Sequence, residues 1–597
     1  MAKEYLPQNR QWTQRNDGTG TLSGTFGVDF EADRGKVRVS KPVLRLFDQN
    51  TDIDRYDDGF VTNNNGEKLD RVAQSFVTFD GDFYALANVP YYSGRAILGT
   101  SSDALDVDKW RAIESTNAPD STGAGIVWNG KLMVIDNGIS AGIIRAGATD
   151  NTWSTYWANG ATINKTSGRI DFIHPAPDGN MYVLDEDNYV HRVKPNDTAD
   201  FADASSPANQ GTLDFSDRDI AFTCVNSNAT RMFIGFSNNS NSRGGVIEWD
   251  LSANSVSANR VHDLSAAPRC LAVWDDLIIA VMSDGSFKYF NGSSFVDYEG
   301  VQLPKIEGKY DDDFIHPNGW DIIDNMPHFL IKGGKSIEGS NSYSRDIEAN
   351  LNFPSAVYCL DPQVGLYPRF ALTNNTGTQS GYGVPAVAEV GALKSIDKEF
   401  SAFFASFEVY TAENVDIAVI AYHDESNGND SRGWILYNDI ERTQTSKNIE
   451  MLHRVLKSGN VIKAYYQEYE EDDQIVDGVW GSTTEFHTTD TVDVDDKWLA
   501  WVKAGDGAGQ FLRVDSVSGE TTKVIKFKDT NTYANLNDFG VIQFVKFRYF
   551  GQADKTTTDF HTLAFPSGAK TRKVKVLYEL TQAAGTVNEL DYSIYES

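Results

Sequence analysis

Short apolar runs come in pairs along the middle of the chain, and a tight turn joins the members of each pair. Residues 76–79 and 83–86 flank an Asp-Gly pair, and residues 126–128 and 132–135 flank an Asn-Gly pair. Both pairs suit two-residue hairpin turns, because both turn positions need φ > 0. With a further Asp-Gly pair at 178–179, the turn glycines 81, 130 and 179 are spaced 49 residues apart. This spacing predicts a repeated hairpin unit.

The repeat continues with less regular turns, which we place at 228–229, 275–276, 324–325 and, in a looser seventh unit, at Val390-Gly391. The first six units carry a third apolar run, and a more polar fourth run follows some of them. Third runs lie at 95–98, 142–145, 189–192, 245–248, 286–289 and 356–359, and fourth runs at 109–113 and 153–156. Four strands in about 45–50 residues is one propeller blade. The sequence predicts an all-β fold with a β-propeller of about seven four-stranded blades over residues 71–440. An insertion at 335–352 allows one blade more or fewer.

The two ends of the chain follow other patterns. Residues 1–70 are polar with one strand-like patch at 36–47, so we expect an N-terminal arm that packs on the propeller or on a neighbouring subunit. Residues 441–597 alternate between apolar and polar positions, with strand-like runs at 461–469, 541–550 and 572–580. They predict a C-terminal β-sandwich-like domain. A glycine-turned stretch at about 478–535 predicts a small barrel-like module inserted in it.

Acidic residues outnumber basic ones, with 84 Asp and Glu against 53 Lys and Arg, which gives a formal charge of −31. A surface of this charge repels nucleic acid and anionic membranes. It favours either simple solubility or a passage to which DNA must not adhere. No basic stripe interleaved with aromatic residues is present, which disfavours sequence-specific nucleic-acid binding.

Cysteine usage and the chain's N-terminal residues bear on the compartment. Cys224, Cys270 and Cys359 each lie in an apolar run without a CxxC pattern, so we expect buried free thiols. The first residues lack the apolar segment of a secretory signal, and no apolar run is long enough to span a membrane. We therefore expect synthesis in a cytoplasm and no membrane span.

Two motifs suggest chemistry but have simpler explanations. The sequence Phe-Ile-His-Pro occurs at 172–175 and again at 314–317, which could bring His174 and His316 near a shared axis. A repeated strand-entry feature explains it equally well, and we favour that explanation. Residues 333–336 read Gly-Gly-Lys-Ser, like the end of a phosphate-binding loop, but Phe329 stands where such a loop needs glycine.

Other short motifs point to turns. Residues 148–153, and more weakly 101–103 with Trp110, resemble degenerate Asp boxes of sialidase-like propellers, which are structural turns away from any active site. Acidic clusters at 52–54 with 57–59, and at 185–188, could offer oxygen ligands to Ca²⁺, but neither matches the twelve-residue calcium loop. We expect solvated turns, and we predict no catalytic residue, no cofactor, no metal and no enzymatic activity.

Two segments carry a resemblance to tailed-bacteriophage virion proteins. Residues 505–519 read GDGAGQFLRVDSVSG, which resembles a G-x-G-A-G-Q-x-x-x-I-x-S-I-S-G segment of small β-modules in phage structural proteins, with Val514 and Val517 at the two Ile positions. Residues 539–595 resemble the C-terminal strands of phage propeller tail proteins. Within this group the layout is most similar to the tail nozzle of short-tailed phages.

The resemblance implies a structural role in the virion tail. It implies a ring built from copies of the chain, with sixfold symmetry favoured. It also implies contacts with tail partners such as the adaptor and fibres, and transient, non-specific passage of DNA during ejection. The arm at 1–70 and the C-terminal domain are then the expected contact surfaces. Two alternatives stay open: another virion component, such as a capsid decoration protein or receptor-binding spike, and a glycan-binding or sialidase-like propeller enzyme.

Overall fold

In a computed structural model, the described part of the chain is entirely β-strands, turns and connecting segments apart from one short helical turn residue at Asp108. The structure describes residues 4–5, 22–30, 36–41, 43–57, 60–88, 90–93, 108, 110–113, 122–136, 143–147, 153–158, 169–193, 195, 213–215, 218–239, 243–251, 260–303, 310, 313–333, 355–362, 364–376, 387–396, 402–412, 415–423, 431–437, 440–441, 448–453, 460–467, 474–505, 510–531, 534, 536, 539–553, 561–564, 573–582 and 589–596. Within these ranges, no helix is long and apolar enough to cross a membrane.

The strands fall into three groups along the chain. The N-terminal group is β1 Glu4–Tyr5, β2 Leu22–Phe26, β3 Val28–Asp29, β4 Lys36–Val39, β5 Val43–Asp48, β6 Ile53–Asp57 and β7 Phe60–Glu67. The repeat comprises β8 Ser75–Phe79, β9 Asp82–Leu86, β10 Pro90–Ser93, β11 Trp110–Ile113, β12 Thr122–Trp128, β13 Lys131–Asp136, β14 Ile143–Gly147, β15 Trp153–Ala158, β16 Ile170–Pro175, β17 Met181–Asp185, β18 Tyr189–Val193, β19 Leu213–Asp214, β20 Ile220–Ser227, β21 Met232–Asn238, β22 Gly244–Trp249, β23 Arg260–Leu264, β24 Pro268–Trp274, β25 Leu277–Met282, β26 Ser286–Phe290, β27 Phe295–Gln302, β28 Ile315–Ile323, β29 Met326–Ile331, β30 Ala356–Asp361, β31 Gly365–Thr376, β32 Val387–Ser395, β33 Phe403–Ala412 and β34 Val415–His423. The C-terminal group is β35 Ser431–Tyr437, β36 Ile440–Glu441, β37 Asn448–His453, β38 Val461–Gln467, β39 Gln474–Ser482, β40 Glu485–Thr488, β41 Leu499–Gly505, β42 Phe511–Ser518, β43 Lys523–Phe527, β44 Phe539–Val545, β45 Arg548–Ala553, β46 His561–Ala564, β47 Lys573–Gln582 and β48 Glu589–Glu596.

The repeat folds as a propeller. Strands β12–β15, β16–β19, β20–β23 and β24–β27 form four-stranded antiparallel sheets in chain order, and β8–β11, β28–β31 and β32–β34 belong to three further blades. The first strands of these blades, β8, β12, β16, β20, β24, β28 and β32, contact one another in turn, and β32 contacts β8. The ring of first strands is therefore closed, and the predicted all-β propeller is confirmed.

The predicted hairpin turns join first and second strands in the way the sequence indicates. Both central residues have positive φ at 80–81, 129–130, 275–276 and 324–325, as a two-residue turn between twisted strands requires. Non-glycine residues such as Asp275 (φ 47°) and Asp276 (φ 66°) adopt this conformation because short polar side chains tolerate it best.

The N-terminal segment completes the propeller. Strand β5 pairs antiparallel with β34 and parallel with β31, so it supplies the fourth strand of the last blade and joins that blade to its neighbour in one eight-stranded sheet. Strands β6 and β7 extend the first blade beyond β11. The described parts of residues 1–70 are thus strands in sheets formed with the rest of the same chain.

A buried aromatic cluster lies where the last blade meets the first. Phe404 of β33 packs against Phe83 of β9, with ring centroids 4.4 Å apart, and against Trp110 of β11 at 6.0 Å. Phe47 of β5 contacts the same Trp110 at 5.2 Å. Strands from the two ends of the repeat and from the N-terminal segment therefore share one core at the closing seam.

Three strand assignments differ from the sequence prediction. The Val390-Gly391 pair is not a turn, because it lies inside β32 at a bulge. The third strand of the first blade is β10, and the run at 95–98 lies outside the described residues. The run at 541–550 is two strands, β44 and β45, which belong to different sheets.

Gly391 sits in β32 because two strands come very close there. A Cβ at this position would lie 2.4 Å from the carbonyl oxygen of Ala73 and 3.0 Å from Cβ of Val72, both from the segment that leads into β8. The neighbouring Ala392 amide donates to the same Ala73 oxygen at 2.9 Å. The glycine thus permits ring closure rather than a turn.

We expect Gly391→Ala to lower the free energy of unfolding by about 1–3 kcal/mol, the usual range for overpacking a tight site. Urea unfolding followed by tryptophan fluorescence would measure the loss. The exposed Thr78→Ala is the control and should change stability by less than about 0.5 kcal/mol. An unchanged midpoint for Gly391→Ala would contradict the close approach.

The C-terminal group forms two sheets and a barrel. One sheet runs β2-β35-β47-β38-β45, with β36 beside β47, and the other runs β3-β4-β48-β37-β46, with β1 beside β48. Strand β4 contacts both β35 and β47, so the two sheets adjoin, as a sandwich-like domain requires. Because β35 pairs with β47, the chain leaves the propeller after β34 at His423, earlier than the predicted boundary at 440.

The inserted module is a closed six-stranded barrel in the order β39-β40-β43-β42-β41-β44. The predicted barrel-like insertion is confirmed, and it is wider than 478–535 because β39 and β44 extend it to residues 474–545. One buried cluster runs from the fifth and sixth blades through Trp434 and Tyr465 into the barrel core. Propeller, sandwich and barrel therefore share a continuous core.

Cys224, Cys270 and Cys359 are buried and free, as predicted. Burial raises the pKa of the Cys224 thiol to about 12, so it stays protonated and unreactive at neutral pH. The three residues serve as small apolar core side chains.

Candidate functional site

Charged residues gather where the first strands of the blades begin. Equivalent strands of a propeller run in the same direction, so their starts lie on one face, around one mouth of the central channel. Asp70 and Arg71 precede β8, Asp171 is the second residue of β16, and Glu389 is the third residue of β32. Lys332 follows β29 and reaches the same region through its ion pair. We call this set the axial mouth.

Asp171 has the most strongly shifted carboxyl group of the axial mouth. A β-bulge between Ile170 and Phe172 leaves Asp171 as the extra residue opposite β17, and its side chain is exposed. The protein around its carboxyl group removes part of the water that would stabilise the charged form, and this desolvation raises the pKa of Asp171 to about 7. The negative charges of Glu186 and Asp185 raise it further. Arg169 opposes it. Asp171 can therefore gain or lose a proton near neutral pH.

Asp185 itself is held by structural bonds. Its Oδ1 accepts the backbone N–H of Tyr189 at 2.9 Å, and its Oδ2 lies 3.0 Å from His191 Nε2. Both Asp185 and His191 are fully buried. The acidic cluster at 185–188, which we expected to be a solvated turn, is therefore tied into the third blade through the buried Asp185.

The other charges of the axial mouth come from the first and the last two blades. Burial raises the pKa of Glu389, with Asp313 adding to the rise and Lys332 and Arg71 opposing it. Lys332 pairs with Asp313 at 3.5 Å, and Arg71 donates to the carbonyl oxygen of Ala87 at 3.0 Å. Sequence reasoning missed this group, because nothing in a linear pattern shows that residues 71, 313 and 389 meet.

The two His-Pro histidines do lie on first strands of different blades, but each has its own partner. His174 Nε2 lies 2.8 Å from Ser227 Oγ of the next blade. His316 Nε2 lies 3.1 Å from Gln74 Oε1, and its Nδ1 accepts the backbone N–H of Asn318 at 3.0 Å. Asn318 also donates to the Gln74 carbonyl oxygen at 2.8 Å, so the sixth blade is bridged to the start of the first. These bonds agree with the strand-entry explanation.

Three histidines, the half-buried His174 and His316 and the fully buried His328, should make stability depend on pH. Burial lowers the pKa to about 4 for His174 and His316, and to about 3 for His328, where the Arg369 charge contributes. The unfolded value is about 6.5, so unfolding takes up protons between these values. Stability should be complete above about pH 6.5 and fall as the pH drops towards 4, by up to about 1.4 kcal/mol per pH unit for each histidine. Asp171, with its raised pKa, acts in the opposite direction and offsets part of the loss.

Urea unfolding at several pH values between 7.5 and 4.5 would measure this dependence. The His316→Gln variant keeps an amide near Gln74 but cannot titrate, so its stability should vary less steeply with pH than that of the unchanged chain. Parallel curves for the two proteins would contradict the assignment of His316 as a group that stays neutral in the folded chain.

The remaining sequence motifs have structural roles or fall outside the described residues. The Gly333 amide donates to Ser355 Oγ at 2.9 Å, and residues 334–336 are not among those described. Of the degenerate Asp boxes, Trp110 is fully buried in the closing seam, Trp153 begins β15, and 101–103 and 148–152 are not described. Asp52 and Asp54 lie 3.6 Å from Lys68 and 3.9 Å from Arg111, and residues 58–59 are not described. No three His, Cys, Asp or Glu side chains of the described part are placed to hold a metal ion.

No family model matches the chain, and no curated protein sequence matches it significantly. Among solved structures, it is similar to the computationally designed Ika8 protein, with 10% identity over 69% of this chain and 99% of that one and a TM-score of 0.34. It is also similar to the Kuenenia stuttgartiensis hydrazine synthase (11% identity, 58% and 95% covered, TM-score 0.34) and to Kluyveromyces lactis Hsv2 (7% identity, 61% and 93% covered, TM-score 0.31). Likenesses this distant carry no argument about function.

Proposed function

We propose that the chain is a structural subunit of a tailed-phage virion, a tail nozzle or tail-tip protein that forms a ring around the DNA-exit channel. The observation that carries this proposal is a set of hydrogen bonds that polar side chains form between neighbouring blades. Around the described propeller, a recurring set of these side chains bonds one blade to the next, which stiffens the ring.

The bonds between blades recur at equivalent positions. Trp128 Nε1 donates to the Gly179 carbonyl oxygen, and Trp274 Nε1 donates to that of Asn325, each at 3.0 Å. Each tryptophan ends a first strand, and each acceptor lies in the hairpin turn of the following blade. Thr223 Oγ1 likewise donates to the Pro268 carbonyl oxygen at 2.6 Å. Such bonds resist relative motion of blades, which suits a structural subunit under mechanical stress better than an enzyme that must admit substrate.

An ion pair and a cation–π contact also join the barrel to the sandwich. Arg513 of β42 forms a two-point pair with Asp529, at 2.9 and 2.7 Å, and its guanidinium lies 4.4 Å from the ring centre of Tyr549 in β45. Lys463 of β38, in the sandwich, lies 4.0 Å from Asp529 of the barrel module and 3.6 Å from Glu579 of its own sheet. These contacts support one stiff unit.

The charge of the chain supports the same role. At −31 per copy, a ring presents a strongly negative lumen, along which DNA can slide without adhering. The phage resemblance of residues 505–519 and 539–595 supplies the class of assembly. Within the described part of the first segment, Gln510 is buried in the barrel and donates to Asn531 Oδ1 at 3.1 Å, which gives it a structural role.

Mass photometry and negative-stain microscopy of the purified full chain test the proposal. We expect rings of about six copies, which is about 400 kDa for a chain of 66.1 kDa, and no retardation of duplex DNA in a gel. A monomer that forms no ring at micromolar concentration would count against the nozzle.

A second candidate function has one observation in its favour. Asp171 is a carboxyl group with a pKa near 7 beside Asp185 and Glu186, the kind of environment that lets a carboxylic acid donate a proton at neutral pH. A glycan hydrolase of the propeller class would use such a group. If the chain hydrolyses any of a panel of glycosides and Asp171→Asn abolishes this activity, the result would favour this candidate. If no glycoside is hydrolysed, only the structural role remains.

A further inference from the structure

The outer edges of the blades differ in how they are protected. An open edge strand offers unpaired backbone groups to any other strand, and proteins usually shield it with charges, with shortness or with a covering segment. Among the described residues of the propeller, the outermost strands are β7, β15, β19, β23 and β27. The last two blades have no open outer edge there, because β5 joins them.

Three of these outer edges carry a recognised form of protection. The described part of β19 is only two residues long. Strand β23 contains Arg260 and Asp263, and β27 contains Asp297 and Glu299. Asp297 is highly exposed, with 78% of its side chain accessible. These strands are poor templates for pairing.

The other two edges show none of these forms of protection among the described residues. Strand β7 has the sequence FVTNNNGE, in which only the final Glu67 is charged, and Glu67 is paired with Arg55 at 2.6 Å. Strand β15 has the sequence WSTYWA, without any charge and with three aromatic residues. They belong to the first two blades, whose first strands contact each other. Neither has an outer partner strand among the described residues.

We propose that the outer edges β7 and β15 form the surface on which a second copy of this chain docks, by main-chain pairing. This inference rests on the proposed ring. Copies that each carry a charge of −31 repel one another unless they meet at a surface poor in acidic residues. Uncharged edges provide such a surface, because backbone hydrogen bonds need no charge. Aromatic residues are also enriched at interfaces between proteins.

Lysine substitutions on the edges test the inference. Asn64→Lys in β7 and Thr155→Lys in β15 place a charge on the proposed contact, and Gln302→Lys places the same charge on the outer edge β27. Mass photometry should show rings for the unchanged chain and for Gln302→Lys, and 66.1 kDa monomers for the two edge variants. Thermal unfolding should be alike for all four proteins, which separates loss of contact from loss of fold.

Cysteine labelling covers the case in which a lysine variant fails to fold. The three native cysteines are buried, so maleimide should label only an introduced cysteine. In the ring, Asn64→Cys should react much more slowly than Asp297→Cys on β27. If the rings persist in both edge variants, or if Asn64→Cys reacts as fast as Asp297→Cys in the ring, the docking surface is wrong although the nozzle proposal stands. A monomeric unchanged chain would overturn the ring and this surface together.

Discussion

Replacing Arg369 with methionine should lower the free energy of unfolding by about 3–5 kcal/mol, the usual cost of removing one partner from a buried ion pair. Arg369 is fully buried in β31 and lies 3.2 Å from Asp29 Oδ2 and 2.6 Å from Asp324 Oδ2. It also donates to His328 Nε2 at 3.2 Å. Without the guanidinium, Asp29 would be a buried carboxylate that lacks its cationic partner.

Arg369 connects two parts of the chain that are far apart in sequence. Asp29 belongs to β3 in the N-terminal segment, and Asp324 belongs to the hairpin turn of the sixth blade. The guanidinium therefore ties the N-terminal segment to the propeller. Asp29→Asn combined with Arg369→Met should cost less than the sum of the two single changes, because the unpaired charge is gone.

The control for Arg369→Met is Lys68→Met. Lys68 pairs with Asp52 at 3.6 Å, with 55% and 68% of the two side chains exposed, so its loss should cost less than about 1 kcal/mol. Urea unfolding measures the unchanged chain, the two single variants, the double variant and the Lys68→Met control. Equal losses for Arg369→Met and Lys68→Met would contradict a buried network at Arg369.

Phe404→Ala should lower the free energy of unfolding by about 3–5 kcal/mol through the cavity it leaves. The Phe404 ring is fully buried at the seam where the last blade meets the first, 4.4 Å from the ring centre of Phe83. The same unfolding experiment measures the change.

Two comparisons keep this result interpretable. Phe404→Leu retains most of the apolar volume and should cost less than Phe404→Ala. Val127→Ala, at a side chain that is 41% exposed, should stay within about 0.5 kcal/mol of the unchanged chain. A loss below about 1 kcal/mol for Phe404→Ala would mean that the seam is not packed as described.

The sequence predicts features that local chemistry determines. Asp-Gly and Asn-Gly turns at 80–81 and 129–130 specify their own backbone conformation. Together with the apolar runs on either side, they are enough to indicate a hairpin. The repeat, and with it the propeller, could therefore be read from spacing. The partner strands of β5 could not be predicted, because its sequence pattern is the same whether it pairs with its own chain or with another.

Two strand predictions were wrong because contacts that are distant in sequence decide the local structure. Gly391 looks like a turn residue, but its role is to let β32 approach Ala73, a residue more than 300 positions away. Residues 541–550 look like one strand, but the Phe547 amide bonds to the Val545 carbonyl oxygen at 2.9 Å, and the chain passes there from the barrel to the sandwich. The axial mouth could not be predicted either, because its members come from blades that are distant in sequence.

The central structural claim is that the chain's own N-terminal segment completes the propeller by supplying β5 to the last blade. Hydrogen–deuterium exchange with mass spectrometry tests it most directly. Because β5 pairs on both sides, with β31 and β34, peptides covering 43–48 should exchange as slowly as those covering 403–412 and 415–423. Rapid exchange of 43–48, with the last blade still protected, would contradict the claim.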